Sequence, residues 1–177
     1  METGKDILLA KLTEEQIDQF ISLSEDPDLI SGMGWKPFRH GERDRFLETL
    51  NVLTVPHLQN GKSTVFSILD AKNRRAIGCV VVKGIDTVRA CAEIGIAIMD
   101  KAYRGKGYGS EALRTSVEYA RRELGLNTLG LTVFPENRRA IRVYEKVGFV
   151  KKELLRDYWL LPGGEYADMW LMEIHCI

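Results

Sequence analysis

Cysteine is scarce and unpatterned in this 177-residue sequence: Cys79, Cys91 and Cys176 are odd in number, widely spaced and free of any CxxC pair. That argues against a disulfide framework and against a zinc site. The thiols are expected reduced and buried, and no metal is expected. Long apolar runs are also missing: no stretch approaches the roughly 18 uninterrupted apolar residues of a spanning helix, and the opening METGKDILLAKL lacks the apolar core of a secretory signal. A cytoplasmic location is the expectation. Net charge is absent too, 25 Lys+Arg standing against 25 Asp+Glu, so no global field draws the chain to nucleic acid or to a membrane. A small molecule or a peptide is the expected partner. There is no repeat and no low-complexity linker, and at 45% apolar residues the chain suffices for one well-cored domain over residues 1–177 and is short for two.

Hydrophobic periodicity divides the chain into elements. DILLAKL reads as a strand, and TEEQ after it is a capping box, with Thr13 as N-cap and Gln16 reaching back. The helix that follows shows Ile17, Phe20 and Ile21 on one face and stops before Pro27. Residues 28–40, DLISGMGWKPFRH, have no period but place Met33, Trp35 and Phe38 among glycines. That suits a pocket wall or mobile lid with Trp35 and Phe38 as substrate contacts, and it suits a loop packing its aromatics on the core. A second helix is expected from Glu42 to about Leu53, with Phe46, Leu50 and Leu53 at helical spacing.

TVFSILDA, AIGCVVVKG and CAEIGIAIM then read as an antiparallel meander. In the third run Ile94, Ile96 and Ile98 face one way and Glu93, Gly95 and Ala97 the other. A helix over about Tyr108 to Leu124 carries Leu113, Val117, Ala120 and Leu124 on one stripe and ends at Gly125. TLGLTVF is a strand, and PENRRAIRVYEKVGF a helix capped by Asn137, with Ala140, Val143, Tyr144 and Val147 as its apolar face and Gly148 as its stop. ELLRDYWLLPGGEYADMWLMEI closes the chain as two strands around Pro162-Gly163-Gly164. Strand, glycine loop, helix, strand is a crossover, and crossovers join parallel strands. The expected fold is thus α/β, a mixed, mostly antiparallel sheet of about seven strands with one parallel pair and about four helices.

The loop of that crossover, Arg104-Gly105-Lys106-Gly107-Tyr108-Gly109-Ser110, has three glycines in five positions. Such a chain must take left-handed angles or admit another group closely. The helix beginning there aims unpaired N–H groups and a positive dipole end at one point, an anion site to which Arg104 and Lys106 add charge. A plain turn between strand and helix remains the other reading. The position three after Gly107 is Ser110, which excludes a dinucleotide fingerprint, and no Gly-Lys-Ser/Thr opens a helix, which excludes a Walker loop.

AEIGIAIMDKAYRGKGYGSEAL followed by LTVFPENRRAIRVYEKVGF resembles the GNAT superfamily of acetyl-CoA-dependent N-acetyltransferases. Arg104, Gly107 and Gly109 match its Arg/Gln-x-x-Gly-x-Gly/Ala loop, and the resemblance runs from about Ser63 onward. LRDYWLLPGGEYADMWLMEI looks like the closing hairpin of the branch that holds ribosomal-protein N-terminal acetyltransferases and spermidine acetyltransferases. The resemblance implies that the pyrophosphate of acetyl-CoA lies on the amides of Lys106 to Ser110. It implies too that the parallel strands splay around the pantetheine arm, which gives Gly95 and Ala97 a reason besides close packing. Tyr144, matching the YEKxGF tyrosine, becomes the general acid toward the leaving thiolate. Glu93 matches an acidic position some members use as a base, and as well suits a structural carboxylate. Asn137 is a helix cap and a cofactor contact; Arg138, Arg139 and Arg142 suit the cofactor's 3′-phosphate or a solvated face.

Deprotonating an amine of pKa ~10.4 at pH 7 costs roughly 4.6 kcal/mol, against about 1.4 for an α-amino group near ~8. A weak base suffices for the second, so the acceptor expected is a protein or peptide α-amino group, with a polyamine or other small amine as the alternative. Polyamine-acetylating relatives carry acidic residues just after the aromatic of the first helical connection, whereas Trp35 is followed here by Lys36 and Pro37. Asp26, Asp28, Glu42 and Asp44 lie nearby in sequence. Many N-terminal acetyltransferases of the branch have an aliphatic residue where Tyr144 stands. A rival of another class is a non-catalytic acyl-CoA-binding module. The partners expected are acetyl-CoA, an amine acceptor and a second copy of the chain in a homodimer.

Overall fold

The computed structural model describes residues 2–52 and 62–176. A short strand β1 (Glu2–Thr3) and β2 (Ile7–Lys11) lead into helices α1 (Glu14–Ser22), α2 (Pro27–Met33) and α3 (Arg43–Asn51). Strands β3 (Lys62–Asp70), β4 (Ala76–Asp86) and β5 (Cys91–Ile98) form the meander; α4 (Tyr108–Leu124) crosses over to β6 (Thr128–Val133). Helix α5 (Arg138–Val147) precedes the hairpin of β7 (Val150–Leu160) and β8 (Tyr166–His175). The sheet order is β1-β2-β3-β4-β5-β6-β8-β7, and β5 with β6 is its parallel pair among the described residues.

The mixed sheet agrees with the expected fold, with two additions. Strand β1 is only two residues long and leaves no pattern to read. Helix α2 occupies part of the segment without a period. Pro27 sits in its first turn, Asp26 caps it by accepting from the Asp28 N–H at 3.0 Å, and Gly34 ends it at φ 64. It buries only Leu29, so it presents no stripe for periodicity to detect. The other helices follow their signals. Thr13 and Gln16 form the capping box of α1, α4 stops at Gly125 in the left-handed region, and Gly148 stops α5 at φ 117. Leu53, expected to end the second helix, lies outside the described residues.

Alternation along the strands divides the core in two. Ile7, Leu9, Val80, Val82, Ile94, Leu129 and Met172 pack under α4 and α5, together with Leu113, Ile141 and Phe149. Cys79, Ala97 and Met99 face α1–α3, where Ile17, Phe20, Phe46 and Leu50 cover them. In α5 the buried residue is Ile141, with Ala140, Val143, Tyr144 and Val147 half-buried beside it.

The parallel pair positions the site. β5 and β6 register only as Cys91↔Thr128, Ala92↔Leu129 and Glu93↔Gly130, although β5 continues to Ile98 and β6 to Val133. Beyond Glu93 the strands part, and among the described residues the backbone groups of β5 on that side have no strand partner. Buried N–H and C=O groups demand partners, so the wedge is a place for an extended, amide-bearing ligand.

Candidate active site

The glycine loop delivers the N-terminus of α4 to the mouth of the wedge. Gly105 and Gly107 take φ 77 and 95, and Gly107 is the N-cap. A Cβ built on Gly107 meets nothing within 4 Å, so the space before the first amides of α4 is open. Arg139 reaches the same loop from α5, its Nη2 lying 3.7 Å from a Cβ built on Gly105. Gly109 and the buried Ser110 line the cavity with Gly105 and Gly107, whereas Lys106 is exposed and Tyr108 turns its ring onto Tyr103, centroids 5.3 Å apart.

Arg104 takes a different part from the anion contact expected of its side chain. Its Nε donates to Ile98 O at 2.8 Å, its Nη2 to Met99 O at 2.9 Å and its Nη1 to Asp26 Oδ1 at 3.1 Å. The side chain is 9% exposed. Its donors thus close the end of β5 and tie it to the cap of α2, which commits the guanidinium to the scaffold. Asn137 does similar work: Oδ1 caps α5 by accepting from Ala140 N at 3.1 Å, and Nδ2 donates to Gly32 O in α2 at 3.4 Å.

One cavity of about 1230 Å³ runs from the glycine loop through the wedge to the far side of α2, and both Glu93 and Tyr144 line it. Tyr144 lies half-buried on α5 with its ring 6.0 Å from that of Phe149, and burial pushes its phenol up to about 12. Glu93 is 3% exposed and stands opposite Lys83 in the β4–β5 register, Oε1 3.3 Å from Nζ. Lys83 also donates to Val52 O just past α3. Burial pulls its pKa below the ordinary lysine value, and the Glu93 charge pulls the other way.

The aromatics of the first connection touch edge-on, the Trp35 and Phe38 centroids 5.8 Å apart, but only one of them reaches the cavity. Trp35 lines the cavity, but Phe38 does not: it is 4% exposed, stacked edge-on against Phe46 at 5.2 Å and covered by the Arg45 guanidinium. The substrate contact expected of Phe38 is therefore corrected to a core position, because its ring completes the cluster under α1 and α3. Arg139 and Arg142 line the cavity with Lys146, while Arg138 stays outside it. Lys83, Phe134 and Trp159 line it without having been singled out from the sequence. Only Lys83 had left a signal, as the single charge in AIGCVVVKG. Among the described residues the Trp159 Nε1 has no hydrogen-bond partner, and it lies 2.8 Å from a Cβ built on Gly34.

A splayed parallel pair, a glycine-rich helix start facing open space and a tyrosine at the wedge define an acyl-CoA-dependent transferase by class. The family model of the Acetyltransferase (GNAT) domain matches residues 6–150, and the chain belongs to that family. It is an N-acetyltransferase, and acetyl-CoA is its cosubstrate. The spermidine N(1)-acetyltransferase of Escherichia coli is 36% identical over 169 residues, covering 95% of this chain and 85% of that protein. The [ribosomal protein uS5]-alanine N-acetyltransferase of Escherichia coli is 28% identical over 141 residues, 76% of this chain and 70% of that one. The structure of spermidine N-acetyltransferase from Vibrio cholerae in complex with CoA and spermine superposes with a TM-score of 0.79 at 23% identity, covering 97% and 96% of the two chains. Among the described residues no helix is long and apolar enough to cross a membrane, and Cys79, Cys91 and Cys176 are free and buried.

Proposed function

We propose that this chain transfers the acetyl group of acetyl-CoA to an α-amino group of a protein or peptide. When bound, the thioester supplies an activated acyl carbon and a thiolate leaving group. The amides of Lys106, Gly107, Tyr108, Gly109 and Ser110 hold the pyrophosphate, and Arg139 and Arg142 add charge beside it. The unpaired edge of β5 beyond Glu93 takes the amides of the pantetheine arm. Tyr144 gives its proton to the departing sulfur. A phenol at about 12 keeps that proton throughout the working range. It lies above a free thiol's ~8.5, yet a thiolate released into the same dry wedge is raised by the same burial, which narrows the gap. Lys83 holds the Glu93 carboxylate as a structural group at the acceptor wall, and the amine's proton passes to water.

The observation that carries the α-amino reading is the pairing of the cavity's buried carboxylate, Glu93, with Lys83. The same cavity is also lined by Leu29, Met33, Trp35, Leu50, Trp159 and Pro162, apolar surface that suits an uncharged side chain beside a single amine. A polyamine acceptor is the second reading, favoured by the spermidine acetyltransferases among the relatives and by the exposed Asp28 at the cavity rim. Free-thiol release from acetyl-CoA with N-terminal peptides, the same peptides blocked at the α-amine, spermidine and small amines decides between them. Release with free but not blocked peptides, and above that with spermidine, is the expected outcome. Release with spermidine alone rejects the α-amino reading. Binding of acetyl-CoA without release from any amine rejects turnover and leaves an acyl-CoA-binding module. The assembly proposed is a homodimer, with β7, an edge strand of the sheet, largely exposed.

A further inference from the structure

Among the described residues three carboxylates line the cavity. Asp28 and Glu136 are exposed, and Glu93 alone is buried. A buried carboxylate attracts a cation far more strongly than one at the rim, because water screens the rim. Glu93 is therefore where the distal ammonium of a polyamine would bind most tightly. That place is taken by the chain itself. Lys83 lies directly across the β4–β5 register, its side chain 8% exposed, its Nζ 3.3 Å from Oε1. A second bond, to Val52 O just past α3, keeps it from swinging out into the cavity. Replacing a buried ion pair by well-packed apolar residues is often neutral or stabilising, so stability alone does not account for this one. The same pattern holds at α2, where Arg104 takes up Asp26 at 3.1 Å and approaches Asp28 at 3.7 Å.

We propose that Lys83 is a specificity-determining residue, a built-in ammonium that occupies the cation place on Glu93 and restricts the acceptor to amines with one cationic group. The proposal rests on the α-amino reading above. It turns the buried pair into a filter: a monoamine meets a neutral wall, whereas a di- or triamine brings a second positive charge against Lys83.

The test compares wild type with Lys83→Ala, which removes the ammonium and leaves room for another, and with Lys83→Ala/Glu93→Gln, which removes both charges. Affinity for 1,4-diaminobutane is measured by calorimetry, and kcat/KM for spermidine and for an N-terminal peptide by free-thiol release. Retained acetyl-CoA binding reports the fold. Lys83→Ala should bind the diamine about tenfold tighter or more than wild type, raise the spermidine-to-peptide ratio by a similar factor, and lose both gains in the double variant. Lys83→Met carries the same expectation where the smaller side chain does not fold. Unchanged diamine affinity in a folded variant overturns the proposal, as does an equal gain in the double variant, since space and not charge would then be the cause. A wild type that prefers the peptide while Lys83→Ala gains nothing overturns this proposal alone. A wild type that prefers spermidine overturns the α-amino reading, and the filter with it.

Discussion

Tyr144 lies on the apolar face of α5, where a packing tyrosine and a proton donor look alike, and a single oxygen atom separates the two. Tyr144→Phe should lower kcat by roughly a hundredfold while the acetyl-CoA Kd barely moves, the pattern of an interaction made only in the transition state. A variant that keeps most of its kcat with chemistry rate-limiting makes Tyr144 a packing residue. The same phenol sets a pH dependence of stability. Its folded pKa of about 12 exceeds the unfolded value near ~10, so stability present below pH ~10 is lost as pH rises toward ~12. The buried Cys79 thiol, also raised to about 12, adds a loss in an overlapping window. Urea unfolding at about pH 9 and about pH 11 should show a smaller decline for Tyr144→Phe than for wild type. At Gly107 the backbone is in question instead, because at φ 95 with open space before it a side chain both strains the turn and covers the amides. Gly107→Val should weaken acetyl-CoA at least about tenfold, since charge-assisted bonds of ~1.5 to 3 kcal/mol are lost. Unchanged affinity in a folded variant would remove the pyrophosphate from the loop.

Helix α2 is short, buries one residue and is held from outside, by Arg104 at its N-terminus and by Asn137 at Gly32. Breaking a largely buried ion pair leaves an uncompensated charge, so Arg104→Met should cost about 3 kcal/mol of stability in denaturant unfolding. It should raise KM for the amine more than Kd for acetyl-CoA, because the guanidinium commits its donors to Ile98 O, Met99 O and the Asp26 cap of α2. The reverse order would restore it to the anion site. This element also marks the limit of what sequence can tell. Caps and stops are local, and Thr13, Gln16, Gly125, Asn137 and Gly148 all behave as their spacing implied. The Arg104–Asp26 bond joins residues 78 apart and Lys83 reaches back 31 residues to Val52, and no local pattern encodes either. Phe38 and Trp35, three residues apart, share one composition and touch each other, and only the packing of α1 and α3 buries Phe38 while leaving Trp35 partly buried at the cavity wall.

For the molecule as a whole, the site exists because two parallel strands pair for three residues and then part, with α4 and its glycine loop on one side and α1–α3 on the other. The alternation of Glu93, Gly95 and Ala97 against Ile94, Ile96 and Ile98 foretold the two faces, and the crossover foretold the parallel pair. The length over which the strands stay paired is a property of the assembled sheet, and only the resemblance to a known family anticipated the splay. Glu93, the one buried carboxylate among the described residues of the cavity wall, is paired with Lys83, so an acceptor that is already easy to deprotonate is required. The pH dependence of kcat/KM with the best acceptor tests this most directly, since it reports the ionisations of free enzyme and free amine. The account predicts a rate that climbs and levels off near pH ~8, the pKa of an α-amino group. A rate still rising above pH ~9, toward the ~10.4 of a lysine-like or polyamine nitrogen, would contradict it.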